Sequence, residues 1–427
     1  MHAPPTESAL GSRPLLRRFG IVSLLACAVA APLWHLHILN LDMPFSQSDL
    51  LPRWIGARVA LRGQDPYSPE TLRVIQRAYY GDAIDHGKPN RRQAFLYPAP
   101  VVVLLAPLTV LSWHAARIAF TAGVIPLLVG SFWLCIRALN LHLTGGHTTA
   151  ILVLTVFSWP VIWGLRLEQL TLPVAALIFL AWFLLARGCQ FVPGILLALT
   201  IIKPQMVVPL LLWLFVWAIL RRNWVFIASF AGTLALLLGV TQKLVPGWFS
   251  HWLVSLHNYS AVTKTAPPLE FVLGHWIGLP LTILLTAWSG FALWRLLRAA
   301  PGSAEFATAI SLVLATTVAL LPTDATMVYN QVLLLPACLT MLVRRPAGAP
   351  VSVARGFAVA QLVLEFVAVA VAAIGESLTG PNDFWSVLPF VDHFLAPLLT
   401  FVLASEFLRR AVIHSATRDA IPQVSCA

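Results

Sequence analysis

Residues 46–67, SQSDLLPRWIGARVALRGQDPY, open the one long polar loop in an otherwise apolar chain. Ser48 can cap a helix that begins at Asp49; Pro52 is tolerated in its first turn and Gly63 stops it. Leu50, Leu51, Trp54, Ile55 and Leu61 form a broken apolar stripe, and Arg53, Arg58 and Arg62 take the rest of the surface. Such a helix is expected to lie at a membrane interface. Asp65-Pro66-Tyr67 makes a turn, after which a second helix starts at Ser68-Pro69-Glu70 and ends near Gly81.

The loop runs from 40 to about 94 and carries about a third of the chain's charged residues in about an eighth of its length. Elsewhere the 427-residue chain is apolar: 59% of it is hydrophobic and 11% charged, against about 25% charged in a soluble domain. A soluble globule could not hide that much apolar surface, so most of the chain faces lipid or other buried helices. The fold class is all-α polytopic membrane protein, a single integral-membrane domain over 1–427 with no separate soluble unit. The net charge of +11 fits basic residues gathered in cytoplasmic loops and beside anionic lipid, not nucleic-acid binding. Cys27, Cys135, Cys189, Cys338 and Cys426 are scattered without metal or redox spacing and read as small hydrophobes.

Arg13, Arg17 and Arg18 precede an apolar run over 19–39, read as an uncleaved first span although Ala28-Val29-Ala30 looks like a cleavage site. Twelve further apolar segments follow, at about 95–112, 115–137, 149–163, 170–187, 191–202, 204–220, 224–243, 270–294, 304–321, 326–343, 353–374 and 385–408. Basic residues put the N-terminus inside, and Arg409 and Arg410 do the same for the C-terminus, which requires an even number of crossings. The odd segment is 149–163, short and interrupted by Ser158 and Pro160 as a re-entrant piece would be. Residues 191–220 are too few for two full crossings at about 1.5 Å per residue, so Lys203-Pro204 marks a turn at membrane depth. About twelve spans are expected, with the first loop outside.

Several polar groups need a reason. Asp49 either caps its helix as a first-turn carboxylate or acts as a general base on an acceptor hydroxyl. Lys203 sits in LALTIIKPQMVVPLLL, where a buried ammonium is costly; it either snorkels to an interface or ligates a phosphate. Arg166-Leu167-Glu168-Gln169 is either a short loop with an internal ion pair or a polar element pointing into a site. Tyr97-Pro98 opens the second span, as an aromatic-belt residue before a kink or as part of the site. His257-Asn258-Tyr259-Ser260 and the run from Asp324 to Asn330 are placed in later loops on the outer face. No nucleotide-binding glycine loop and no Asp-x-Asp metal motif occurs.

In their order, these pieces resemble glycosyltransferase family 87, a bacterial group of the C-type glycosyltransferase superfamily. An acidic residue follows the first span (Asp49), then an A-x-x-L-x-x-G-x-D-P-Y run in the form ARVALRGQDPY, then Y-P-x-P at 97–100 with Pro107 beyond. A G-Q-x-N element matches Glu168-Gln169-Leu170-Thr171, in which only the Gln survives. A glycine and Lys-Pro match Gly194 and Lys203-Pro204-Gln205, followed by the basic Arg221-Arg222. Glu168 replaces the usual glycine. The late loop reads Pro322-Thr323-Asp324-Ala325-Thr326-Met327 and lacks the family's His, for which Asp324, Tyr329 or Asn330 can substitute.

The resemblance implies a C-type fold in the bacterial inner membrane, with the site on the periplasmic face. It implies transfer of a hexose, most often mannose, from a polyprenyl-phosphate donor to a glycan, glycolipid or protein acceptor. Asp49 is then the base of an inverting displacement. Lys203 and loop arginines such as Arg53 take the phosphate, and Tyr97, Gln169, Gln205, His257, Asp324 and Asn330 complete the site. Fixed cations can stabilise a phosphate leaving group, so neither a metal nor another cofactor is expected. The rival is a transporter or lipid-linked-sugar flippase. That class usually shows repeated halves with matching broken segments, whereas here the polar mass lies in one loop.

Overall fold

The computed structural model describes residues 48–80, 93–139, 143–260, 266–298, 303–320, 328–337 and 339. Among these residues the chain is all helical, with no strand. The expected spans at 19–39, 353–374 and 385–408 lie outside the described residues.

The first loop forms two helices close to the expected bounds, α1 (Leu50–Ala60) and α2 (Pro69–Tyr80). Asp49 is the N-cap residue of α1, and the Ser48 hydroxyl accepts from the Leu50 amide at 3.2 Å. Gly63 ends the unit at φ +78°, with the Gln64 amide reaching back to the Val59 carbonyl at 3.1 Å. The turn before α2 is an Asx turn, in which the Asp65 carboxylate accepts from the Tyr67 amide at 2.9 Å.

The expectation of an interfacial helix is corrected. α1 is buried along most of its length, Arg53 included, and packs on α3 (Pro100–Thr109). Small residues allow the approach: a methyl group at Gly56 would enter the Phe95 ring, 2.6 Å from Cε2. The Trp54 indole donates to the Leu108 carbonyl at 2.9 Å and locks the pair.

α4 (Trp113–Ala138) is capped by Ser112 and lies along α7 (Thr171–Ala186), with Phe132 and Phe179 tilted against each other at 5.5 Å. Between them, the segment expected at 149–163 is two helices, α5 (Gly145–Val156) and α6 (Trp159–Arg166), broken at Phe157-Ser158. The break comes where Ser158 takes extended φ/ψ as N-cap and Pro160 supplies the first turn.

The interruption at Lys203 is present. α8 (Phe191–Leu199) tightens into a 3₁₀ turn over Thr200–Ile202, Lys203 leaves helical geometry at φ −130°, ψ 67°, and α9 (Pro204–Leu220) starts on Pro204. α8 packs closely on α10 (Trp224–Leu244), and Gly194 is the reason. A Cβ there would stand 2.7 Å from the Phe226 carbonyl oxygen. Small residues that let backbones approach are the usual means of joining helices in lipid, where burial alone supplies little drive.

Residues 248–260, read in part as a loop, form helix α11 (Trp248–Ser260). α12 (Pro268–Leu273) folds back on α13 (His275–Arg298) through Gly274 at φ +76°. α14 (Ser303–Leu320) and a 3₁₀ helix (Val328–Leu334) close the described part, the latter against α6. Trp113–Ala138, Trp224–Leu244 and His275–Arg298 are long and apolar enough to cross a bilayer.

Candidate active site

The polar cluster is assembled at the corner between α6 and α7. α6 ends in a Schellman turn: the Glu168 amide bonds the Leu165 carbonyl at 3.1 Å and the Gln169 amide the Gly164 carbonyl at 2.8 Å. Residue 168 must then be left-handed, and Glu168 adopts φ +52°, a conformation that favours glycine. Its fully buried carboxylate is held by the Arg117 Nε of α4 at 2.6 Å and by the Ser48 hydroxyl. Glu168 is therefore tied to a helix 51 residues earlier in the chain, which answers why a charge stands where the resembled family has glycine.

The corner fixes the start of α1. The Asp49 amide donates to the Leu167 carbonyl at 2.9 Å, and the Gln169 side-chain NH₂ donates to the Asp49 carboxylate. Arg53, one turn on, sets its Nη1 3.5 Å from the same carboxylate and also donates to the Asp49 carbonyl. Burial is the strongest single influence and would lower the Arg53 pKa; the facing Asp49 charge, together with the phenols of Tyr97, Tyr329 and Tyr259, outweighs it and raises the value. The guanidinium lies over the Tyr97 ring at 4.6 Å, and among the described residues its buried Nε has no hydrogen-bond partner. The Asp49 side chain keeps 21% exposure, so the carboxylate is held but reachable.

Gln169 also faces the other way. Its side-chain carbonyl accepts from the Lys203 ammonium at 3.4 Å and from the Tyr97 hydroxyl at 3.5 Å. Lys203 is 2% exposed, donates to the Thr171 hydroxyl, lies 3.4 Å from the Asn330 side-chain oxygen and sits over the Tyr329 ring at 4.5 Å. Among the described residues no carboxylate pairs with it. One amide therefore joins a carboxylate at its nitrogen to a buried cation at its oxygen.

Of the residues singled out in the sequence, Asp49, Arg53, Tyr97, Gln169, Lys203 and Asn330 come together. Arg53, expected on the surface, is inside because α1 is not interfacial. Gln205 is exposed: the inward face of α9 is set by Met206, Val207 and Leu210, and Gln205 falls off it. His257 is exposed on α11. Asp324 lies outside the described residues. Tyr329, offered as a substitute for the family's His, also joins the cluster beside Lys203; Ser48, Arg117 and Thr171 are not among the sequence candidates for the site. Arg117 had a signal, as a charge within the apolar segment 115–137. Among the described residues no three His, Cys, Asp or Glu side chains group as a metal site.

Long apolar helices enclosing a buried polar cluster define an integral-membrane protein. The family model of glycosyltransferase family 87 matches residues 95–323, a little over half of the chain, and the chain belongs to that family. It is a glycosyltransferase. No curated protein and no solved structure matches it. The matched region takes in Tyr97, Gln169 and Lys203; Asp49 and Arg53 precede it and Asn330 follows it.

Proposed function

We propose that this glycosyltransferase moves a hexose, mannose by family resemblance, from a polyprenyl-phosphate donor to an acceptor hydroxyl at the periplasmic face of the bacterial inner membrane. The observation that carries the reading is Lys203, a buried ammonium with neutral oxygens around it and no carboxylate partner among the described residues, joined through Gln169 to Asp49. A fixed, dehydrated cation calls for an anion, and a phosphate monoester or diester is the anion such a donor brings.

In the proposed step the Asp49 carboxylate takes the proton of the acceptor hydroxyl. The hydroxyl oxygen bonds the anomeric carbon from the face opposite the phosphate. The bond from that carbon to the phosphate oxygen breaks, and its electron pair leaves on polyprenyl phosphate. A single displacement inverts the anomeric configuration. Lys203 and Arg53 stand where the leaving group gains charge, a contribution of several kcal/mol when donors are preorganised in a dry site.

The test is transfer from radiolabelled polyprenyl-phosphate-mannose in membranes carrying equal amounts of wild type, Asp49→Asn and Lys203→Ala. Asp49→Asn is expected to lose more than about a hundredfold, the range of a lost general base, and Lys203→Ala to raise the donor KM. Full activity in Asp49→Asn would reduce Asp49 to a helix cap.

A further inference from the structure

A concavity lies next to the 95–97 segment that carries Tyr97 of the cluster. Its volume is about 390 Å³, and it is walled by the Asp65–Pro69 turn, by Phe95 and Leu96, and by the inner face of α11. The volume falls in the range of small-ligand sites, about 300–1,000 Å³, enough for a saccharide but not for a whole lipid.

Its walls are mixed in a specific way. Tyr67 contributes aromatic surface, its ring edge-on at 5.1 Å against the buried Phe95 ring. Asp65, His251, Ser255 and Asn258 contribute donors and acceptors. The Asp65 carboxylate is aimed by two contacts, the Tyr67 amide at 2.9 Å and His251 Nδ1 at 3.0 Å, and stays about a third exposed. Among the described residues no Lys or Arg lines the cavity. A carboxylate without a fixed cation repels phosphate, so the donor's head group belongs with Lys203. A purely isoprenoid occupant would bury the part-exposed Asp65 carboxylate and the exposed Asn258 amide against hydrocarbon, at a desolvation cost. An uncharged polyol with one apolar ring face satisfies both kinds of wall.

The cavity is also braced to the cluster. α11 is pinned to the 95–97 segment, with the Trp252 indole donating to the Leu96 carbonyl at 3.0 Å and the Ser255 hydroxyl to the Phe95 carbonyl at 3.4 Å. The Tyr67 hydroxyl donates to the Tyr97 carbonyl at 2.7 Å, and the Tyr97 ring carries Arg53, the partner of Asp49. Tyr259, on the cavity wall, lies within electrostatic reach of Arg53 and Tyr329.

We propose that this cavity is the acceptor subsite: it holds an uncharged pyranose ring of the acceptor against Tyr67, with Asp65, His251 and Asn258 reading its hydroxyls, and presents one hydroxyl toward Asp49. The proposal rests on the transferase reading above.

The experiment has two arms. In the first, octyl α-mannoside carrying a diazirine is photolysed with the Asp49→Asn protein in membranes, and the labelled peptides are mapped; this needs no turnover. Label within residues 65–72 and 251–259, competed by octyl α-mannoside and not by decyl phosphate, is expected. Asn258→Ala and the cavity-filling Ser255→Phe should each cut it at least tenfold. Label spread over lipid-facing helices, or competition by decyl phosphate, overturns the assignment. In the second arm, Asn258→Ala should raise the acceptor KM at least tenfold with the donor KM unchanged within twofold; a rise in donor KM alone also overturns it. Cavity label with no transfer by wild type would retire the donor reading and keep the saccharide site. Transfer with no cavity label would do the reverse.

Discussion

The Glu168 carboxylate meets Arg117 Nε at 2.6 Å from a backbone held at φ +52°. Two opposing terms act at this one position. The left-handed backbone costs a non-glycine residue about 1–2 kcal/mol, while removing one partner of a buried pair costs about 3–5 kcal/mol.

Glu168→Gly therefore removes the strain and still destabilises, by about 2 kcal/mol, because Arg117 is left without its partner. Thermal unfolding in detergent should show a lower Tm for Glu168→Gly than for wild type. Arg117→Met added to Glu168→Gly should recover much of the loss. A higher Tm for Glu168→Gly alone would mean that the backbone, not the ion pair, dominates the corner.

Gln169 joins the Asp49 and Lys203 sides of the cluster, so its two substitutions should fail differently. Gln169→Ala frees the Asp49 carboxylate to wander and should lower kcat about a hundredfold, the cost of roughly 1 Å of misplacement. Gln169→Glu places a like charge against Asp49 and an ion-pair partner beside Lys203, so the donor KM should rise as well. Steady-state kinetics on purified enzyme separates the two; identical profiles would remove the bridging role.

Gly194→Ala should part α8 from α10, since the added methyl meets a backbone carbonyl that has nowhere to go. Overpacking of this kind costs about 1–3 kcal/mol. Gly232, in the same pair of helices, has open space around it; Gly232→Ala should be neutral or stabilise by up to about 1 kcal/mol. The pair is read by Tm in detergent, and equal effects would contradict the close contact.

Burial pushes the phenols of Tyr67 and Tyr79 above the usual tyrosine value. A raised pKa means that the folded state holds its proton longer than the unfolded chain. Their contribution is thus fully present below about pH 10, the unfolded value, and is lost as pH rises above it. Stability measured from pH 8 to 11 should fall at the alkaline end, and less steeply in Tyr67→Phe. Tyr67→Phe itself should cost about 1 kcal/mol at pH 8 for the lost bond to the Tyr97 carbonyl.

Much of the local structure was legible in residue order. Ser48, Gly63 and Ser68-Pro69 bound the loop helices, and Lys203-Pro204 breaks its apolar run, because caps, prolines and glycines act within a few residues. What depended on distant partners was not legible. The stripe on α1 suggested an interface, but Gly56, Ala57 and Ala60 let Phe95 and α3 cover it and draw Arg53 inside. Arg117 and Glu168 gave no sign of pairing across 51 positions. The family-like Lys203-Pro204-Gln205 element places Gln205 with Lys203, yet Pro204 restarts the helix and turns Gln205 outward. The aromatic- and His-rich α11 lacks a clean period, so its end at 257–260 reads as loop from sequence.

With the proposed polyprenyl-phosphate donor, the helix break at Lys203 would tie this enzyme's durability to its supply of lipid carrier. The ammonium is stripped of water when the chain folds, before any donor arrives, so an anion that docks there binds the folded state and not the unfolded one. Such a ligand at a hundred times its Kd adds about 2.7 kcal/mol to stability. On that proposed donor, a cell short of polyprenyl phosphate would hold not only an idle transferase but a shorter-lived one.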